Sequence, residues 1–99
     1  VKVRVPYQAQ NTCHVYNQFT LRVKNRKKFI NLLEENDIPY GIYYPIPIYK
    51  QKAFNSYNYK YKLVNTEKIT KECVSIPIYP ELDNNSIEFI SEIINKYKW

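Results

Sequence analysis

The stretch Gly41 to Phe54, GIYYPIPIYKQKAF, constrains this chain more than any other. It holds the only glycine of 99 residues, with Pro45 and Pro47 set among Tyr43, Tyr44 and Tyr49. Proline fixes φ near −65° and offers no amide donor, so two prolines one residue apart cannot both lie in a central strand. Tyr44 and Ile46, each preceding a proline, are pushed toward β or polyproline conformations. The expected result is a stiff extended path that presents tyrosines at defined angles. Gly41, at its entrance, offers either positive φ or a close backbone approach.

A chain of this length makes one small domain with a spare core. It begins at Val1 and lacks methionine, and so reads as a piece of a longer protein. Cys13 and Cys73 belong to no CxxC or Cys/His cluster, which argues for reduced, partly buried thiols rather than zinc or a disulfide framework. No apolar run is long enough to span a bilayer and no signal-peptide pattern opens the chain, which makes the cytoplasm the default compartment. The net charge of +6 permits phosphate or nucleic-acid binding. The densest basic cluster, Arg22, Lys24, Arg26, Lys27 and Lys28, reads more simply as a solvated surface.

Val1, Val3 and Val5 alternate with Lys2 and Arg4, predicting an edge strand that stops at Pro6. Alternation from Val15 to Val23 predicts a second strand, with Val15, Asn17, Phe19, Leu21 and Val23 toward the core. Asn25 caps a helix from Arg26 to Asn36 carrying Phe29, Ile30 and Leu33 on its inner stripe. Tyr40 to Tyr44 then reads as a strand with Tyr44 turned to the core, Tyr49 to Phe54 as one helical turn, and Asn55 to Lys62 as an exposed loop. Asn65 is expected to cap a helix over Thr66 to Cys73, with Ile69 and Cys73 inward. A strand Val74 to Ile78 follows, and Asp83 caps a final helix with Ile87, Ile90, Ile94 and Tyr97 on one stripe. These pieces predict an α+β two-layer sandwich, a small mixed sheet with helices on one face, forming a single domain over residues 1–99.

Four blocks in this order, HVYNQFTLRV, RKKFINLLEENDIPYGI, YYPIPIYKQKAF and EKITKECVSIPIYPEL, resemble the C-terminal domain of the DegT/DnrJ/StrS sugar aminotransferases of fold type I. The resemblance implies a parent enzyme that transfers an amino group to a keto-sugar nucleotide with pyridoxal phosphate as cofactor. It also implies that the cofactor is held by an N-terminal domain missing here, and that the parent is a homodimer. This chain would then hold no cofactor, be inactive alone, and wall the substrate pocket.

The candidate substrate-binding residues are Tyr43, Tyr49, Tyr16 and His14. Family members often carry histidine at the positions of Tyr43, Tyr49 and Asn17, and tyrosine at Phe54. Phenol and amide reach differently from imidazole and do not titrate near pH 7. Each candidate has a plainer reading. His14, the lone histidine, can be a hydrogen-bonded residue at a strand start; Tyr16 can be packing; Tyr43 and Tyr49 can merely cover a sheet edge. Two other functions remain open: a basic, aromatic nucleic-acid-binding module, the less favoured partner class, and an aminotransferase-like association domain without catalysis.

Overall fold

The computed structural model describes residues 3–97. Three strands, β1 (Val3–Arg4), β2 (Phe19–Val23) and β3 (Cys73–Ile76), form a sheet in the order β1-β2-β3. Both pairings are antiparallel, so the expected α+β class holds while the expected mixed sheet does not. Helices α1 (Arg26–Glu35) and α2 (Val64–Glu72) lie between β2 and β3, α3 (Asn84–Lys96) follows β3, and two short 3₁₀ helices, Ile48–Lys50 and Lys52–Tyr57, lie between α1 and α2.

The register explains the two faces. Val3 pairs with Val23, Leu21 with Val74 and Phe19 with Ile76, so one face is apolar throughout. Phe29 and Leu33 of α1, with Ile90 of α3 and Tyr97 just beyond it, close over this face as the single core cluster. Phe29 meets Tyr97 edge to face at 5.4 Å, a favoured geometry for aromatic quadrupoles. The other face carries Arg4, Arg22, Thr20, Cys73 and Ser75. Arg4 stands opposite Arg22, an unfavourable like-charge pair, but Arg22 donates from Nε and Nη2 to Glu72 Oε2 at 3.1 and 2.8 Å. Arg26 reaches from the start of α1 to the carbonyls of Thr70 and Cys73 at the end of α2, groups that lack intrahelical partners. The basic cluster is thus partly structural.

Caps follow local chemistry at two of three helices. Asn25 and Asp83 accept from the amides of Lys28 and Ser86, as side-chain oxygens at N-caps do. The third departs from expectation: α2 starts at Val64 with Leu63 at the cap and no side-chain bond, so Asn65 lies inside the helix. Ile69 of α2 and Ile87 of α3 are exposed, since each helix turns a narrower stripe inward than its periodicity suggests.

The predicted strand from Val15 begins only at Phe19. Tyr16 has φ of 45°, in the left-handed region that breaks strand geometry, and Val15 is 84% exposed. Cys13 is exposed too, while Cys73 is buried. Val5 lies outside β1 and is exposed; Val1 and Lys2 fall outside the described residues. The radius of gyration is 15.8 Å, against about 13 Å for a compact chain of this length. The segments 5–18 and 43–63 account for the difference: in them only Pro47 is buried.

Phe29 is fully buried and joins α1, the sheet and Tyr97. Phe29→Ala is expected to cost about 3–5 kcal/mol, read as a lowered urea midpoint by far-UV circular dichroism. A loss below about 1 kcal/mol would contradict the packing described.

Candidate functional site

The backbone of the Gly41 to Phe54 arm pairs with the sheet at one residue. Gly41 N donates to Ser75 O at 2.9 Å, and Ser75 N donates to Gly41 O at 2.7 Å. The expected strand from Tyr40 to Tyr44 therefore reduces to this bridge. Because Ser75 spends both backbone groups on Gly41, its pairing with Thr20 is of the non-hydrogen-bonded kind, with close side chains. Their hydroxyls meet at 2.8 Å, which satisfies the buried Ser75 side chain.

Gly41 has no positive φ; its glycine serves close approach. A Cβ there would stand 2.6 Å from Cε2 and Cζ of the Tyr43 ring and 2.7 Å from its hydroxyl. The ring is thus folded back over the Gly41 α-carbon. It lies across one side of a depression of about 440 Å³ whose other walls include Asn17, Gln18, Pro39, Pro77 and Tyr79. Tyr44 meets Tyr43 edge to face at 5.7 Å but is 68% exposed, so the core placement expected for it is wrong. The two prolines that follow carry the chain outward at that point.

Tyr49 lines a different depression, of about 490 Å³. Its hydroxyl donates to Glu67 Oε1 at 2.6 Å, and Lys50 Nζ lies 3.0 Å from the same oxygen. The Tyr49 bond, then Lys50, hold the Glu67 carboxyl below its ordinary range. The same bond holds the Tyr49 phenol above its ordinary range, with desolvation and the Glu67 charge adding. Lys50 is raised by its bond to Glu67. Tyr49 is therefore a neutral phenol clamped by a carboxylate.

His14 and Tyr16 form a third group. Tyr16 N donates to His14 Nδ1 at 2.9 Å, so the neutral imidazole carries its proton on Nε2. Their rings stack at 4.2 Å, and Tyr16 continues onto Phe19 at 5.2 Å. The structure thus pairs His14 with Tyr16, sets Tyr43 beside Asn17, and places Tyr49 apart from both. Glu67 and Lys50 went unmarked in the sequence. The alternating Tyr59 and Tyr61 were the available signal for the wall beside them, hidden in a polar stretch without apolar period.

Among the described residues no cluster of histidine, cysteine or carboxylate could hold a metal, and no helix is long and apolar enough to cross a membrane. All described lysines are exposed. A lysine that bonds covalently to a carbonyl cofactor is activated by desolvation or a cationic neighbour, and exposure gives these side chains no desolvation within this chain.

The family model for the DegT/DnrJ/EryC1/StrS aminotransferases matches residues 1–95, and the chain belongs to this family. It is 35% identical over 95 residues to the dTDP-3-amino-3,6-dideoxy-alpha-D-galactopyranose transaminase of Aneurinibacillus thermoaerophilus, covering 96% of this chain and 26% of that protein. Its fold is similar to DesV of S. venezuelae, with TM-score 0.89 at 22% identity, covering 97% of this chain and 26% of that one. It is also similar to NtdA of Bacillus subtilis, solved with bound cofactor PMP, with TM-score 0.77 at 21% identity over 94% of this chain and 22% of that one. The chain spans about a quarter of the length of these relatives.

Glu67 supplies a test of the clamp. A carboxyl depressed in the folded state stabilises above its unfolded value, near pH 4.5, and that contribution is lost as pH falls through the folded value. Wild type is expected to melt higher than Glu67→Gln at pH 7, with the gap narrowing as pH falls below the unfolded value and through the lower folded one. An equal gap at pH 7 and pH 3 would contradict it. Separately, Gly41→Ala is expected to expel the Tyr43 ring, since an exposed phenol yields more readily than the backbone bridge. The Tyr43 ring resonances should shift in NMR while the Gly41 and Ser75 amides stay protected from exchange.

Proposed function

We propose that this chain is the C-terminal portion of a pyridoxal-phosphate-dependent aminotransferase acting on a keto-sugar nucleotide, and that it walls the substrate pocket. The observation that carries this reading is the Tyr43 ring, folded against Gly41 over an open depression that also contains Asn17. A phenol fixed at the rim of a cavity offers an apolar face to a hexose ring and a hydroxyl to its oxygens. Tyr49, Tyr16 and His14 complete the proposed contacts. The His14 Nε2 proton and the Tyr16 hydroxyl are the groups left for a ligand, since the Tyr16 ring is stacked on His14 and Phe19.

The cofactor, in this proposal, is held by residues outside this chain, which by itself transfers no amino group. The cofactor supplies the electron sink for moving the amino group; the residues described here orient the sugar and limit water. The parent protein is proposed to be a cytoplasmic homodimer. Family membership and the name of the transaminase relative support the aminotransferase reading.

Two measurements test the proposal. In the full-length protein, Tyr43→Phe is expected to raise KM for the keto-sugar nucleotide about 2–10-fold, the worth of one hydrogen bond, with the cofactor absorbance unchanged. An unaltered KM contradicts the assignment of Tyr43. Borohydride reduction of this chain with pyridoxal phosphate, followed by peptide mapping, is expected to give scattered, substoichiometric labelling. Stoichiometric labelling of a single lysine overturns the placement of the cofactor.

A further inference from the structure

We infer that His14 is a positioning residue: its neutral imidazole holds the turn that brings Asn17 and Gln18 to the Tyr43 depression, and protonation of that ring releases them. This adds regulation to the substrate wall proposed above, on whose reading its functional meaning rests.

In a continued strand, adjacent residues point to opposite faces, so Asn17 and Gln18 would be parted. Instead both line the depression that carries Gly41, Tyr43 and Tyr79, immediately before β2 begins at Phe19. The break that permits this is Tyr16, at φ 45°, a region unfavourable for a bulky aromatic residue and kept only where the surroundings fix it. Two contacts fix it here. The Tyr16 amide donates to His14 Nδ1 at 2.9 Å, and the Tyr16 ring stacks on both His14 and Phe19. Taking the amide two residues on is what asparagine and aspartate side chains do in turns. His14 is itself steadied by Gln8, whose Oε1 accepts from the His14 amide at 3.3 Å while its Nε2 donates to the Thr12 carbonyl at 3.0 Å.

An imidazole in this role differs from an amide because it titrates. Nδ1 accepts only in the neutral ring; in the imidazolium both nitrogens donate, and the Nδ1 proton would face the Tyr16 N–H. The ring stack is not lost with it, because a cation is attracted to a phenol face. The hydrogen bond alone is the switch. Gln8 and Phe19, which contact this group, carry no charge; the Tyr16 phenol and the exposed Cys13 next in sequence are its titratable neighbours. Among these side-chain types, histidine is the one that ordinarily changes charge between about pH 5 and about pH 8.

NMR of this chain tests the turn without any substrate. At about pH 8 a nitrogen–nitrogen coupling across the hydrogen bond is expected between the Tyr16 amide and His14 Nδ1, and it is expected to vanish toward about pH 5. The side-chain amide resonances of Asn17 and Gln18 are expected to shift along the His14 titration. His14→Asn keeps an acceptor and is expected to protect the Tyr16 amide from exchange with no pH dependence at Asn17 or Gln18. His14→Phe keeps a ring for Tyr16 but removes the acceptor, and is expected to leave that amide unprotected throughout; unchanged far-UV circular dichroism confirms that both variants are folded. In the full-length protein, KM for the keto-sugar nucleotide is expected to rise about threefold or more on acidification in wild type relative to His14→Asn, the worth of one hydrogen bond. The ratio of their kcat values is expected to stay constant. The positioning role is overturned by a coupling that persists through the His14 titration, by Asn17 and Gln18 resonances indifferent to it, by a protected Tyr16 amide in His14→Phe, or by KM values that follow pH alike in wild type and His14→Asn. If the full-length protein transfers no amino group to a keto-sugar nucleotide, the transferase reading falls while the NMR measurements still decide the turn.

Discussion

Two backbone hydrogen bonds between Gly41 and Ser75 anchor the start of the aromatic arm to the sheet. They form on the free edge of β3, where Ser75 has both an amide and a carbonyl to offer. The Tyr43 side of the site follows from that attachment. It leaves Thr20 and Ser75 as a close non-hydrogen-bonded pair and sets the position where a missing Cβ lets Tyr43 fold back on its own chain. Just beyond, Pro45 and Pro47 prevent the arm from continuing as a strand. The sheet thus gains a rim instead of a fourth strand.

The scaffold beneath is economical. One apolar face of three short strands, two helices and a Phe29–Tyr97 contact make the core. The opposite face is held by polar geometry: Arg22 on Glu72, Arg26 on the last carbonyls of α2, and a hydroxyl pair. The apolar side carries the core while the polar side is tied together by directed bonds, in a chain that covers about a quarter of the length of its transaminase relative.

Legibility in the sequence followed the strength of the local signal. Helices α1 and α3 were readable because Asn25 and Asp83 cap them and their apolar residues recur at helical spacing. The stretch 15–18 misled, because alternation of Val15 and Asn17 with Tyr16 and Gln18 imitates a strand. What decides there is the imidazole of His14, which takes the Tyr16 amide and favours a left-handed turn. The α2 cap misled for the converse reason: Asn65 is a good capping residue, but the helix begins before it. Of the site, Tyr43 and the role of Gly41 as a close-approach residue were within reach of the sequence. The Glu67 clamp on Tyr49 was not, since residues 18 apart are joined only through the fold.

The central claim is that the Gly41 clasp presents Tyr43 to a sugar nucleotide. A crystal structure of the full-length protein with a nucleotide sugar bound tests it most directly. The account predicts the Tyr43 ring in van der Waals or hydrogen-bond contact with the hexose while the Gly41–Ser75 bridge stays intact. A bound ligand that leaves Tyr43 facing solvent would contradict it.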